Sequence, residues 1–229
     1  PKLPLLMNPS DVKEPHFVRL KKKINLDKLE KIKHIAQDNK VTTSAVLCTA
    51  YARVLSEWSN QERMAINMTV FNRYPFYERI NEMVGDFTST ILVDVRLDDE
   101  KSFFQEVETT QETIMEALEH RHFDGVEFIR EISKYNNYPT TAGMPIVFTS
   151  MISDNKQEDA FDFGSFTYSV SQTPQVYIDY QVIETKEGLV ISWDYVKELF
   201  DEEMLNAMFD KYIDILESFS NETKFNVSE

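Results

Sequence analysis

The side chains of this chain best suited to acid–base work are polar groups set in apolar stretches. In "MPIVFTS" (144–150) an apolar run from Met144 to Phe148 stops at two hydroxyls, Thr149 and Ser150. In "SQTPQVYIDYQV" (171–182) a proline is followed by β-branched and aromatic residues with one carboxylate, Asp179, among them. Both read as strands. Side chains alternate along a strand, so Val176, Ile178 and Tyr180 share one face, and Tyr177, Asp179 and Gln181 the other. In the earlier strand Val147 and Thr149 lie together, opposite Ile146 and Phe148. An aspartate in mid-strand goes against propensity. Two readings stand. Thr149 ends its strand and Asp179 faces water; or the strands are neighbours and the pair meets in a cleft. There a carboxylate whose pKa is raised by burial can both give and take a proton.

Other chemistry has little support. His16, His34, His120 and His122 show no metal-ligand spacing, and "HRH" at 120–122 suits a helix end, where cations oppose the dipole. Nucleophile-elbow, phosphate-loop and dinucleotide fingerprints are missing, and five glycines leave little room for one. Cys48 lies at helical spacing among Val46, Leu47 and Ala50 and reads as a buried thiol. Asp86 in "VGDFTS" (84–89) is either a turn-former that bonds nearby backbone or a further site group.

The elements that must hold these groups follow from periodicity. Asn25 can cap a helix with Leu26, Leu29, Ile32, Ile35 and Ala36 on one face. Thr42 or Thr43 can cap the next, with Leu47, Ala50, Tyr51, Val54, Leu55 and Trp58 inward. "RMAINMTV" (63–70) alternates as a half-buried strand and "ILVDVRL" (91–97) as another, with an irregular stretch between. Helices are predicted over about 101–119 and 124–134, the first with Phe104, Val107, Ile114, Met115 and Leu118 inward. Residues 152–166 are acidic and loop-like. "QVYIDYQV" and "GLVISWDYV" predict a hairpin across "ETKEG". Asp201 can cap a last helix, with Phe200 stapled against Leu205. The fold class expected is α/β, a two-layer sandwich with a mixed sheet and helices packed on one face.

The 229 residues are 42% hydrophobic, enough for one large core or two small ones. A net charge of −15 argues against nucleic acid and anionic membrane as partners. Lys21, Lys22 and Lys23 read as a solvated edge. One cysteine allows no internal disulfide, and no signal peptide or long apolar run is present, so a cytoplasmic location is expected. The proline-rich start reads as an extended connector over residues 1–20, a lobe is expected over 21–219, and 220–229 reads as a polar linker. The chain therefore reads as a piece of a longer polypeptide.

Several stretches, in order, resemble one family. "PHFVRLKKKINLDKLEKIKHIA", "VTTSAVLCTAYARVLSEWS", "INMTVFNRYP", "VGDFTS", "MPIVFTS", "SQTPQVYIDYQV" and "ISWDYVKELF" are similar to the carboxy-terminal lobe of heterocyclisation domains. These are condensation-like domains of nonribosomal peptide synthetases, in the chloramphenicol-acetyltransferase-like superfamily. Leu29 stands where that family usually has tryptophan. The resemblance implies a chloramphenicol-acetyltransferase-like half. It also implies amide formation to a carrier-bound Cys, Ser or Thr, then cyclodehydration to a thiazoline or oxazoline. It places catalytic roles on Asp179 and Thr149, with Gln175, Ser150 and Asp86 as substrate-contacting candidates. No directly bound cofactor or metal is implied; the phosphopantetheine arm of a carrier protein enters the site. The implied partners are an amino-terminal lobe with a paired-aspartate motif, upstream and downstream carrier domains, and an adenylation domain. An ordinary amide-forming condensation lobe and a non-catalytic docking fragment are the rival readings.

Overall fold

The computed structural model describes residues 1–136, 143–152 and 168–221. Six strands form one mixed sheet: β1 (Phe17–Asn25), β2 (Arg63–Phe71), β3 (Thr88–Arg96), β4 (Ile146–Met151), β5 (Ile178–Thr185) and β6 (Gly188–Val196). Their spatial order is β1-β6-β5-β4-β2-β3. The short strand β4 is parallel to both its neighbours, β2 and β5, while all other pairs are antiparallel. The helices are α1 (Leu26–Asp38), α2 (Thr43–Ser59), α3 (Phe103–Glu119), α4 (Gly125–Asn136) and α5 (Glu202–Asn221).

Local signals set most boundaries. The Asn25 side chain accepts from the Lys28 N–H and starts α1, and Thr42 rather than Thr43 accepts from Ala45 and starts α2. Ser102 and Gln105 close a reciprocal capping box on α3. Asp201 accepts from Met204 and opens α5, with Phe200 and Leu205 both buried beside it. The β5–β6 hairpin turns through Lys186 and Glu187, as "ETKEG" suggests. The expected connector is shorter than 1–20, because β1 already begins at Phe17 and pairs along its length with β6. Lys21, Lys22 and Lys23 are exposed on this edge strand. The acidic loop expected over 152–166 lies outside the described residues except for Ile152, as does the polar linker beyond Asn221.

Helices α1, α2, α3 and α5 pack into a layer on one face of the sheet, where the core sits. Its centre is Tyr51 of α2, with its ring 5.0 Å from Tyr180, 5.1 Å from Trp193, 6.3 Å from Phe148 and 6.4 Å from Tyr212. The Tyr180 and Tyr212 hydroxyls bond each other at 2.6 Å, which satisfies two polar atoms in a largely apolar layer. Cys48 is fully buried there and its thiol is pushed up to about 12, an inert residue as expected. Each large apolar side chain so buried contributes on the order of 1.5–3 kcal/mol. Helix α4 is placed differently. Gly125, its first residue, lies against Thr90 and Leu92, which point to the sheet face away from the other helices. Met115 on α3 is half exposed, against the inward position its spacing suggests.

Candidate active site

On the face away from the helical layer, the strand register lines up two transverse polar rows. One runs Arg19 (β1), Asp194 (β6), Asp179 (β5), Val147 (β4) and Asn67 (β2). In the next, Ser192 of β6 pairs with Gln181 of β5, and Gln181 with Thr149 of β4. The Thr149 hydroxyl continues this row to Thr69 of β2 through a hydrogen bond of 2.9 Å.

Asp179 and Thr149 therefore lie on adjacent strands and the same face, as the alternation requires. They are not register partners, and the Thr149 hydroxyl pairs with Thr69 rather than with the carboxylate. Thr149 stands beside Gln181, whose amide donates to Asp179 Oδ2 at 3.0 Å. Asp179 does not face open solvent; only 5% of it is exposed. The segment before β5 passes over this part of the sheet, and its Ser171 N–H donates to Asp194 Oδ2 at 2.6 Å.

Asp194 is completely buried and its oxygens are well paired. Arg19 Nε donates to Oδ1 and Nη2 to Oδ2, both at 2.6 Å, a bidentate pair. The same Arg19 Nη2 also donates to Gln181 Oε1 at 3.2 Å. Among the described residues Asp179 has no such ion pair. Burial pushes its carboxyl above the usual range; the Ser171 hydroxyl and the Gln181 amide pull it back, Asp194 pushes it up and Arg19 pulls it down. Among the described residues Oδ1 of Asp179 accepts no hydrogen bond, although it is buried. A buried carboxylate oxygen without a partner, on a group with a raised pKa, makes Asp179 the candidate for proton transfer on this face.

The remaining predicted residues are dispersed. Ser150 points to the helix-covered side of the sheet, where its hydroxyl bonds Ser44 of α2 at 2.8 Å. There it lines a cavity of about 240 Å³ with Met68, Gln111 and Ile114, away from Asp179. Gln175 is exposed in the turn before β5 and adopts a left-handed φ of 68°. Asp86 is exposed and accepts from the Thr88 N–H at 2.9 Å, which lowers its pKa; this is the geometry of a turn-forming aspartate. Phe148 and Trp193 are core residues. Arg19, Asp194 and Gln181 were not singled out by sequence reasoning. Asp194 carried the same signal as Asp179, a carboxylate in mid-strand within "ISWDYV". Arg19 carried none, since an arginine near an edge normally serves the surface.

The family model for the condensation domain matches residues 1–229. The chain belongs to the condensation-domain family. It is thus part of an enzymatic domain class of nonribosomal peptide synthetases. Bacitracin synthase 1 of Bacillus licheniformis is 43% identical over 222 residues, 95% of this chain and 4% of that protein. Pyochelin synthetase PchE of Pseudomonas aeruginosa is 31% identical over 230 residues, 97% of this chain and 16% of that protein. Among solved structures, the EpoB cyclization-docking bidomain from Sorangium cellulosum superposes with a TM-score of 0.86 at 30% identity, over 97% of this chain and 45% of that one. This condensation-domain chain thus spans less than half the length of each of these three relatives. The expected mixed α/β sheet with its helical layer agrees with that superposition. No helix among the described residues is long and apolar enough to cross a membrane.

Proposed function

We propose that the chain is one lobe of a heterocyclisation domain, which joins an acyl group to a carrier-bound Cys, Ser or Thr and then closes a thiazoline or oxazoline ring. The observation that carries this reading is Asp179, buried, raised in pKa and with one carboxylate oxygen unpaired. Likeness to a cyclization bidomain, and to proteins named phenyloxazoline synthase, supports ring formation as the second stage. The name of the 43% identical relative, bacitracin synthase 1, states no reaction type and bears on neither reading.

In the first stage the acceptor amine attacks the donor thioester carbonyl, and the carrier thiol leaves with the proton lost by the amine. In the second, the acceptor's thiol or hydroxyl adds to the new amide carbonyl. The resulting tetrahedral carbon loses its hydroxyl as water while the ring nitrogen gives up its proton to form the C=N bond. Protonated Asp179 supplies the proton for the departing hydroxyl, and its carboxylate then accepts the proton from nitrogen, so the residue ends as it began. Thr149 adjoins this path beside Gln181 and contacts substrate or orders it through its bond to Thr69. Gln175 and Asp86 enter the proposal only as peripheral contacts, and Ser150, on the opposite face of the sheet, has no part in it. The substrates arrive on phosphopantetheine arms of upstream and downstream carrier domains, the adenylation domain loads the acceptor, and an amino-terminal lobe closes the site. No cofactor resident in this lobe is required by proton transfer.

The test is Asp179→Asn in the intact synthetase, with amide and ring products separated by mass spectrometry. Uncyclised peptide should accumulate, because losing a positioned acid–base group costs on the order of 10²–10⁴-fold in rate. Ring formation at the normal rate would remove the acid–base role from Asp179, whereas a parent synthetase that yields amide and no ring would favour the amide-only condensation reading.

A further inference from the structure

We infer that Arg19 and Gln181 form a positioning relay that turns Asp179 so that Oδ2 is held by the protein and Oδ1 alone is left for the reacting atoms. The inference rests on the role proposed for Asp179. It follows from donor and acceptor capacity and needs no assumption about hydrogen positions. A guanidinium has only donors. Arg19 is fixed by two bonds to the buried Asp194, one on each carboxylate oxygen, and Nη2 still reaches Gln181 at 3.2 Å. The Gln181 atom that faces it must therefore be the carbonyl oxygen. That choice turns the Gln181 NH₂ toward Asp179, where it donates to Oδ2 at 3.0 Å. Reversing the amide would break both contacts, setting NH₂ against the guanidinium and oxygen against the carboxylate. The relay thus gives the two oxygens of Asp179 different duties, and Oδ1 is the one with no partner among the described residues.

The elements are suited to this task. Arg19, Asp194 and Asp179 are consecutive partners across β1, β6 and β5, so the backbone ladder fixes their spacing. Gln181 is two residues beyond Asp179 on the same strand and face, diagonal to Arg19. Arg19 would otherwise be an edge-strand cation free to snorkel into water; its side chain is only 13% exposed. The charged and titratable groups around Asp179 are Asp194 and Arg19 from the neighbouring strands and Tyr51 across the sheet from α2. Its register partner on β4 is the apolar Val147.

Two substitutions in the intact synthetase test the relay. Gln181→Leu removes the donor to Oδ2. Gln181→Glu is nearly isosteric, keeps a partner for Arg19 and sets an acceptor against Oδ2. In both, the rate of ring formation relative to amide formation should fall on the order of 10- to 100-fold, the cost of a small misplacement of a reacting group. The pH limb assigned to Asp179 should also move upward, more for Gln181→Glu than for Gln181→Leu, since each removes a contact that favours the charged carboxyl. A purely structural role would lower activity without moving the limb. Unchanged ratio and unchanged limb in both variants, with Asp179→Asn still blocking the ring, would overturn the relay and leave the role of Asp179 intact. Normal ring formation in Asp179→Asn would overturn both.

Discussion

Asp179, the second residue of β5, and Asp194 of β6 are carboxylates buried on the same face and paired in register, yet their partners differ. Asp194 has a bidentate arginine and a backbone donor, so both of its oxygens are paired. Among the described residues Asp179 has the Gln181 amide on Oδ2 and the Ser171 hydroxyl nearby but no bidentate cation, which suits a group that changes charge. The difference has a consequence for stability. The folded-state pKa of Asp179 lies above its unfolded value, so the folded state binds more protons and stability falls as pH rises through the window between the two values. Asp179→Asn should therefore melt higher than the parent sequence at pH 7, and the gap should shrink on acidification toward the ordinary aspartate range. Thermal unfolding followed by circular dichroism at several pH values measures this; an Asn variant that is less stable at pH 7 would argue against the raised pKa. Thr149→Val keeps shape and removes the hydroxyl, leaving Thr69 without its partner. It should weaken ring formation less than Asp179→Asn, as read by the ratio of uncyclised to cyclised product.

At the scale of elements, the β5–β6 hairpin aligns the two aspartates. Its turn is completed by Gly188, whose φ of 126° lies where side chains are strained. A Cβ there would also collide with the backbone of Ile24, Asn25 and Leu26, where β1 passes into α1. Gly188→Ala should cost on the order of 3 kcal/mol, lowering the melting temperature by roughly 10 °C for a chain of this size. Because β6 lies between β1 and β5, any shift of the turn also moves Arg19 and Asp194 against Asp179. A Gly188→Ala protein that melts normally would show that the junction yields more easily than its geometry implies. The parallel strand β4 is the other positioning element. With Phe148 in the aromatic core, it must present Thr149 on one side and Ser150 on the other, so the two hydroxyls cannot serve one site.

For the whole molecule, the core and the site occupy opposite faces of one sheet. The helical layer buries Trp193, Tyr180 and Phe148, which makes the face a complete apolar interior. This predicts that the chain folds alone with a cooperative thermal transition. It is nevertheless expected to be silent in catalysis, since it spans 45% of the bidomain it superposes on and the proposed reaction needs a second lobe. Purified chain mixed with carrier-bound donor and cysteinyl acceptor should yield neither amide nor ring. Product detected by mass spectrometry would place the full chemistry within these 229 residues.

What the sequence determined by itself was local: the caps at Asn25 and Asp201, a threonine cap at 42 or 43, the hairpin across 184–188 and the alternation that puts Asp179 opposite Tyr180. Each depends on residues a few positions apart, where periodicity and hydrogen-bonding capacity suffice. The order of motifs also carried the family. Only the tertiary structure decided what lies beside Asp179. Register between strands far apart in sequence put Gln181, not Asp179, next to Thr149, and joined Thr149 to Thr69 over 80 residues. It brought Arg19 to Asp194 across 175 residues. It also covered a face that alternation alone left open, because the path of the segment before β5 is set by its contact with Asp194 and not by any local pattern.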